Sequence, residues 1–251
     1  MMQKINMKTL MLILSLASCS ALNAGPIRNM AVSDPEGTLN YIRSADYPTL
    51  LQFVRDAYAE YLAENKDPVL EYAYIIGINE ASLDKQIKLA LDFSLAQSDM
   101  TVRQMGARAI WLALIKGATP DQNLKQQTVA KLKADLSGLT APSREAFDFA
   151  RHASNALMLL GDDAGLDVFL TDKENVSNYS AKDNWNPTTT PAAFQQLADQ
   201  YTQLANDPSN TNSEVEKTIA TVYLRAKDRR NQGQEVKALQ PIINLQNLRN
   251  F

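Results

Sequence analysis

The sequence predicts an all-α protein, and three observations predict it. Ala, Leu, Gln, Lys and Glu dominate the middle of the 251 residues, while 9 glycines and few β-branched or aromatic runs leave little that would mark strands. Apolar residues recur at helical spacing, in Leu50, Leu51, Val54, Ala57, Tyr58 and Tyr61 and again in Ala146, Phe149, Ala150, Ala153, Leu157 and Leu160. Six prolines, Pro35, Pro48, Pro68, Pro120, Pro142 and Pro191, each stand where such a pattern opens. Proline costs nothing there, because the N–H it lacks would have no partner in the first turn. At 45% hydrophobic content, a chain of this length buries a sizeable core.

Residues 1–24 are set apart as an export signal. Lys4 and Lys8 give a positive start, an apolar run over 10–16 is interrupted only by Ser15, and small residues follow. The run is shorter than the roughly 20 residues that a membrane span needs. Leu16-Ala17-Ser18-Cys19 resembles the lipobox of bacterial lipoproteins, which implies a signal over 1–18 and lipidation of Cys19. A competing reading places the cut after Leu22-Asn23-Ala24, at an ordinary signal peptidase site. Cys19 is the only cysteine, so under either reading the mature chain forms no internal disulfide and relies on packing. The predicted address is the periplasm or, with Ser20 and Ala21 after a lipidated Cys19, the outer membrane.

A short polar lead over 25–33 comes next. Helices are predicted at 35–44, 48–64, 68–80, 83–97, 100–116, 120–137, 142–160, 163–171, 191–206 and 213–231, about ten in all, with a weak one near the carboxyl end. In the helix over 100–116, Asp99 is placed to cap the first turn, and Gly106, Ala109 and Ala113 form a small-residue stripe. Gly117 can end it with positive φ. A shift of 44 residues lays Val102 on Ala146, Gly106 on Ala150, Ala109 on Ala153, Ala113 on Leu157 and Gly117 on Gly161. Repeats of roughly 40 to 47 residues are the size of HEAT and armadillo helix pairs.

The run Asp99, Val102, Arg103, Gly106, Ala107 and Ala109 resembles the second helix of a HEAT repeat. The resemblance is good over that helix and moderate from Leu83 to Gly161; the second copy lacks both the Asp and the Arg. It implies a right-handed α-solenoid of antiparallel helix pairs, in which the Asp and Arg tie neighbouring repeats together. On this reading residues 34–171 form a HEAT-like array, 172–190 an Asn/Ser/Thr-rich loop carrying Tyr179 and Trp185, and 191–251 helices that complete the array.

Chemistry-bearing patterns are few, and no catalytic, cofactor or metal constellation is found. His152 is the only histidine, which excludes multi-histidine metal centres. Its neighbours at helical spacing, Glu145, Asp148 and Asn155, suggest a solvated polar stripe. Asp162 and Asp163 read as helix-capping charge, and Asp172, Glu174 and Asp183 match no ordered calcium loop. Six of the nine tyrosines, from Tyr41 to Tyr74, fall in the acidic amino-terminal third, where they suit a core boundary. Arg225, Lys227, Arg229 and Arg230 make a basic helix end, read as complementing the dipole or as meeting anionic lipid. Without Lys4 and Lys8, 23 basic groups face 28 acidic ones, a net charge of −5 that argues against nucleic acid.

Function is expected from surfaces rather than from a reaction centre. Arg108 and Trp111, on the face opposite the small-residue stripe, and Tyr179 and Trp185 in the loop, are the candidate partner-binding residues. The leading expectation is an exported binding or scaffold module for a protein partner. The alternative is a small helical hydrolase or lyase acting on a glycan through Asp, Glu and Tyr in a cleft.

Overall fold

The computed structural model describes residues 25–179 and 188–249, apart from the side chains of residues 177–179. The export signal, Cys19 and Trp185 therefore lie outside the described residues. Twelve α-helices and no strand occur among the described residues, and none of these helices is long and apolar enough to cross a membrane. They divide into two units between Phe93 and Ser94.

The amino-terminal unit holds α1 (Pro26–Ser33), α2 (Pro35–Ser44), α3 (Tyr47–Ala63), α4 (Pro68–Asn79) and α5 (Leu83–Asp92). The predicted lead is thus a helix. Its first turn is satisfied from far along the chain, with the Ile27 and Arg28 N–H groups donating to Glu60 and that of Gly25 to Glu64. Arg28, almost fully buried, donates to Asp67 at 2.7 Å. No local pattern announces a helix capped by side chains more than 30 residues away. The caps of α2, α3 and α4 are local by contrast: Asp34, Asp46 and Asp67 accept from the first turns they precede, each with Pro at the start. The core forms where α3 packs on α4, with Tyr58 edge-on to Tyr74 at 5.3 Å and to Phe93 at 5.4 Å. Tyr58, Tyr61 and Tyr74 are core residues, while Tyr41 is exposed beside Phe53.

The carboxyl-terminal unit opens with a 3₁₀ turn (Ser94–Ala96). Then come α6 (Met100–Ile115), α7 (Gln122–Ser137), α8 (Arg144–Leu159), α9 (Asp163–Phe169), α10 (Lys173–Tyr179), α11 (Pro191–Asn206), α12 (Ser213–Asn231) and a 3₁₀ turn (Leu245–Leu248). The helix expected over 83–97 ends at Asp92, and α10 occupies part of the predicted 172–190 loop. Helices α7 and α8 begin two residues after Pro120 and Pro142, because Asp121 and Ser143 cap them.

Helix α6 packs chiefly against α8. The two end alike, with Gly117 (φ 99°) and Gly161 (φ 86°) in the left-handed region. Behind each glycine the next N–H reaches back to the helix, Ala118 to the Ala113 carbonyl and Asp162 to that of Leu157. Asp99 caps α6 at the Thr101 N–H. Gly106 faces the 3₁₀ turn so closely that a Cβ would stand 2.5 Å from Ser94 Cβ, and Ala109 and Ala113 are buried beside it. The small-residue stripe is a close-packing surface, as expected. Arg103 joins three helices: it meets Asp135 of α7 at 3.0 Å and lies over the Phe149 ring of α8.

The basic end of α12 is committed internally. Arg229 is 1% exposed; it donates to Asp167 of α9 at 2.6 Å and to the carbonyls of Asp163 and Lys237. Lys227 donates to Gln195 of α11, and Arg225 lies 3.7 Å from Asp228. A lipid-facing role for this helix end is therefore withdrawn: Arg229 is a structural bolt.

Candidate functional site

Trp111 is placed by the periodicity of α6, whose small-residue face is turned to the Ser94–Ala96 turn. The indole is buried, 8% exposed, and donates from Nε1 to the Thr218 hydroxyl on α12 at 2.9 Å. Its ring lies nearly parallel to the imidazole of His152 on α8, 17° between planes and 5.4 Å between centroids. Of the two roles open to Trp111, packing on a neighbouring repeat or anchoring a partner, the structure shows the packing: the indole is clamped by two other helices. His152 is corrected, from a solvated stripe to a half-buried ring in a stack.

Above this stack is a pocket of about 120 Å³, lined by Trp111 of α6, Asp148, Arg151, His152, Ser154 and Asn155 of α8, Phe169 of α9, Asn175 of α10, and Val215, Thr218 and Ile219 of α12. Helical spacing explains why α8 supplies so much of it, since residues 148, 151, 152 and 155 recur on one face. Val215, at 39% exposure, marks the rim.

Three titratable side chains line the pocket, Asp148, Arg151 and His152. Burial first, then the charges of Arg108 and Arg151, push the His152 imidazole down to about 3, so it is neutral at physiological pH. Its Nδ1 is buried and has no hydrogen-bond partner among the described residues. Arg151 lies over the Phe147 ring and makes no ion pair among the described residues. Asp148 is the one carboxylate of the lining, 3.9 Å from the exposed Arg144. The Thr218 and Ser154 hydroxyls are committed, donating to the carbonyls of Glu214 and Arg151. Arg151, His152, Asn155 and Asn175 are left as the groups that a bound molecule would meet.

Of the four candidate partner-binding residues, Trp111 is in this pocket and Arg108 is close enough for its charge to act on His152. Tyr179 ends α10, with its side chain outside the described residues, as is Trp185. The sequence reading missed Arg151 and Asn175, and took Asn155 for part of a solvated face. The face carrying Asp148, His152 and Asn155 was visible as a polar stripe; that a second and third helix cover it was not.

Other clusters have structural roles. Asp172 and Glu174 both pair with Arg249, Asp162 caps α9 while Lys133 approaches it, and among the described residues no group of three or more potential ligands is placed to hold a metal. In the amino-terminal unit, Tyr47 donates to Asp92 at 2.5 Å with Lys88 over its ring, and burial and that carboxylate push its phenol up. No family model, no curated protein and no solved structure matches the chain.

Proposed function

We propose that the chain is an exported helical binding module of a bacterial envelope, and that its carboxyl-terminal unit takes a polar group of a protein partner into the Trp111–His152 pocket. The observation that carries this reading is the pocket lining: an aromatic stack for a wall and the polar side chains of Arg151, His152, Asn155 and Asn175 around it, on elements held by buried contacts. Sites that bind without reacting need this preorganisation and no proton shuttle.

The hydrolytic alternative is less well supported. Glycoside hydrolysis uses two carboxylates across a cleft, and the described lining offers Asp148 alone. An imidazole that titrates near 3 is a poor general base at neutral pH. A HEAT-like solenoid remains the proposed architecture for the repeat region. Its support is the direct packing of α6 on α8, their matching glycine ends, and Arg103 reaching both α7 and α8. Export rests on the amino-terminal pattern, with Cys19 lipidated or the cut after Ala24.

Capture from bacterial envelope extract tests the binding reading. The immobilised protein is expected to retain one or more specific proteins that the Arg151→Ala/Asn155→Ala double variant loses. Both residues are partly exposed, so the variant is expected to keep its helical circular dichroism. Identical profiles, or no specific protein in either, would count against a partner at this pocket.

A further inference from the structure

We propose that the export signal is removed between Ala24 and Gly25, and that the α-ammonium group freed on Gly25 is held by Glu64 and Glu60 of α3. This rests on the export reading above and selects one of its two cleavage sites. In the sequence, Leu22-Asn23-Ala24 stands before Gly25, with a small residue on each side of the bond. The contacts of Gly25 single out the same bond. Gly25 N is 2.8 Å from Glu64 Oε1, and Glu60 takes the N–H groups of Ile27 at 3.1 Å and of Arg28 at 3.3 Å. A Cβ on residue 25 would collide with the Glu60 carboxylate. Any side chain there would push Glu60 off the two N–H groups it holds, so glycine is the residue that leaves this end of α1 closed on α3.

Charge agrees with geometry. Three carboxylates, Glu60, Glu64 and Asp67, meet the start of α1. Among the described residues their ion pairs are all with one guanidinium, that of Arg28, 2.7 Å from Asp67 and 3.9 Å from Glu64. Lys66, between Glu64 and Asp67 in the chain, is exposed and pairs with neither among the described residues. A chain that continues through Ala24 brings Glu64 a neutral amide; a cut chain brings it a cation. When a signal peptidase hydrolyses the Ala24–Gly25 amide, the hydroxyl of water joins the Ala24 carbonyl carbon and its proton joins Gly25 N. A second proton from solvent completes the ammonium at pH 7, below the ordinary α-amino pKa of about 7.7–8.0. Three N–H donors replace one, and the hydrogen bond to Glu64 becomes an ion pair. A cation at the start of a helix is opposed by the helix dipole, and the two glutamates offset both. Cys19 leaves with the signal, so the module carries no lipid at that residue.

Intact-mass analysis of the protein purified from bacteria expressing the full chain tests the position of the cut. The expected mass begins at Gly25. A mass beginning at a lipidated Cys19 would overturn the proposal and leave export standing, whereas a chain that keeps residues 1–24 would overturn both. Hydrogen exchange of the α1 amides at pH 7 tests the capture of the ammonium, in the chain from Gly25 with its amine free or enzymatically acetylated. Acetylation keeps an N–H and removes the charge. It is expected to lower α1 protection about fivefold, above what an exposed ion pair gives because the Glu64 side chain is only 27% exposed. Retaining residues 20–24 should lower it as much, and in Glu64→Gln acetylation should change it less than about twofold. Equal protection with free and acetylated ends, or the same loss in Glu64→Gln, would overturn the capture of the ammonium by Glu64.

Discussion

Replacing Arg229 with methionine is expected to destabilise the carboxyl-terminal unit by about 3–5 kcal/mol, the usual cost of removing one partner of a buried ion pair. The guanidinium is 1% exposed, and it fastens two pieces of chain to α12: α9, through Asp167 and the Asp163 carbonyl, and the segment beyond α12, through the Lys237 carbonyl. Asp167 also accepts the Leu239 N–H at 3.0 Å. Without Arg229, Asp167 is left charged, buried and under-paired, and the segment after α12 loses a tether. Urea unfolding at pH 7 measures the effect. In the double variant Arg229→Met/Asp167→Leu the buried charge is gone, and most of the loss should be recovered. A single variant within about 1 kcal/mol of wild type would mean that Arg229 does not hold this unit together.

The second large effect is a loss of stability in mild acid that depends on one side chain. In the folded protein the imidazole of His152 is held neutral down to about pH 3, by burial and by Arg108 and Arg151. In the unfolded chain it takes up a proton near pH 6.5. Below that pH the unfolded state binds a proton that the folded state refuses. The stabilising contribution is therefore whole above pH 6.5 and lost progressively toward pH 3. Because the ring keeps some exposure to the pocket, about 1–2 kcal/mol is expected to disappear between pH 7 and pH 5. His152→Gln should be less stable at pH 7, where the stack on Trp111 is gone, yet show a shallower decline with acid. Parallel wild-type and variant curves would mean that His152 titrates normally and is not buried in the stack.

Much of the fold was legible because it is written locally. Caps at Asp34, Asp46, Asp67, Asp99, Asp121, Ser143, Asp162 and Thr190 each lie within three residues of the N–H they accept, and positive φ at Gly117 and Gly161 needs only the residue itself. What escaped depends on partners distant in the chain. Helix α1 needs Glu60 and Glu64, Arg229 needs Asp167, and the Trp111–His152 stack needs α12 to close over it. The candidate site belongs to this second kind. Its α8 face appeared as a polar stripe and its α6 residue as an amphipathic outer face. Either stripe alone is what a solvated helix presents, and only the α6–α8–α12 packing turns them toward each other.

The most direct test of a partner at the Trp111–His152 pocket is photo-cross-linking at its rim. A photoreactive amino acid in place of Val215, which lines the pocket and is 39% exposed, reports what approaches the opening in growing bacteria. The control position is Leu62, 53% exposed in the amino-terminal unit. A discrete adduct is expected from position 215, disappearing when Arg151→Ala/Asn155→Ala is combined with it, and no matching adduct from position 62. No adduct at 215, or one that persists in the pocket variant, would contradict a partner at this pocket.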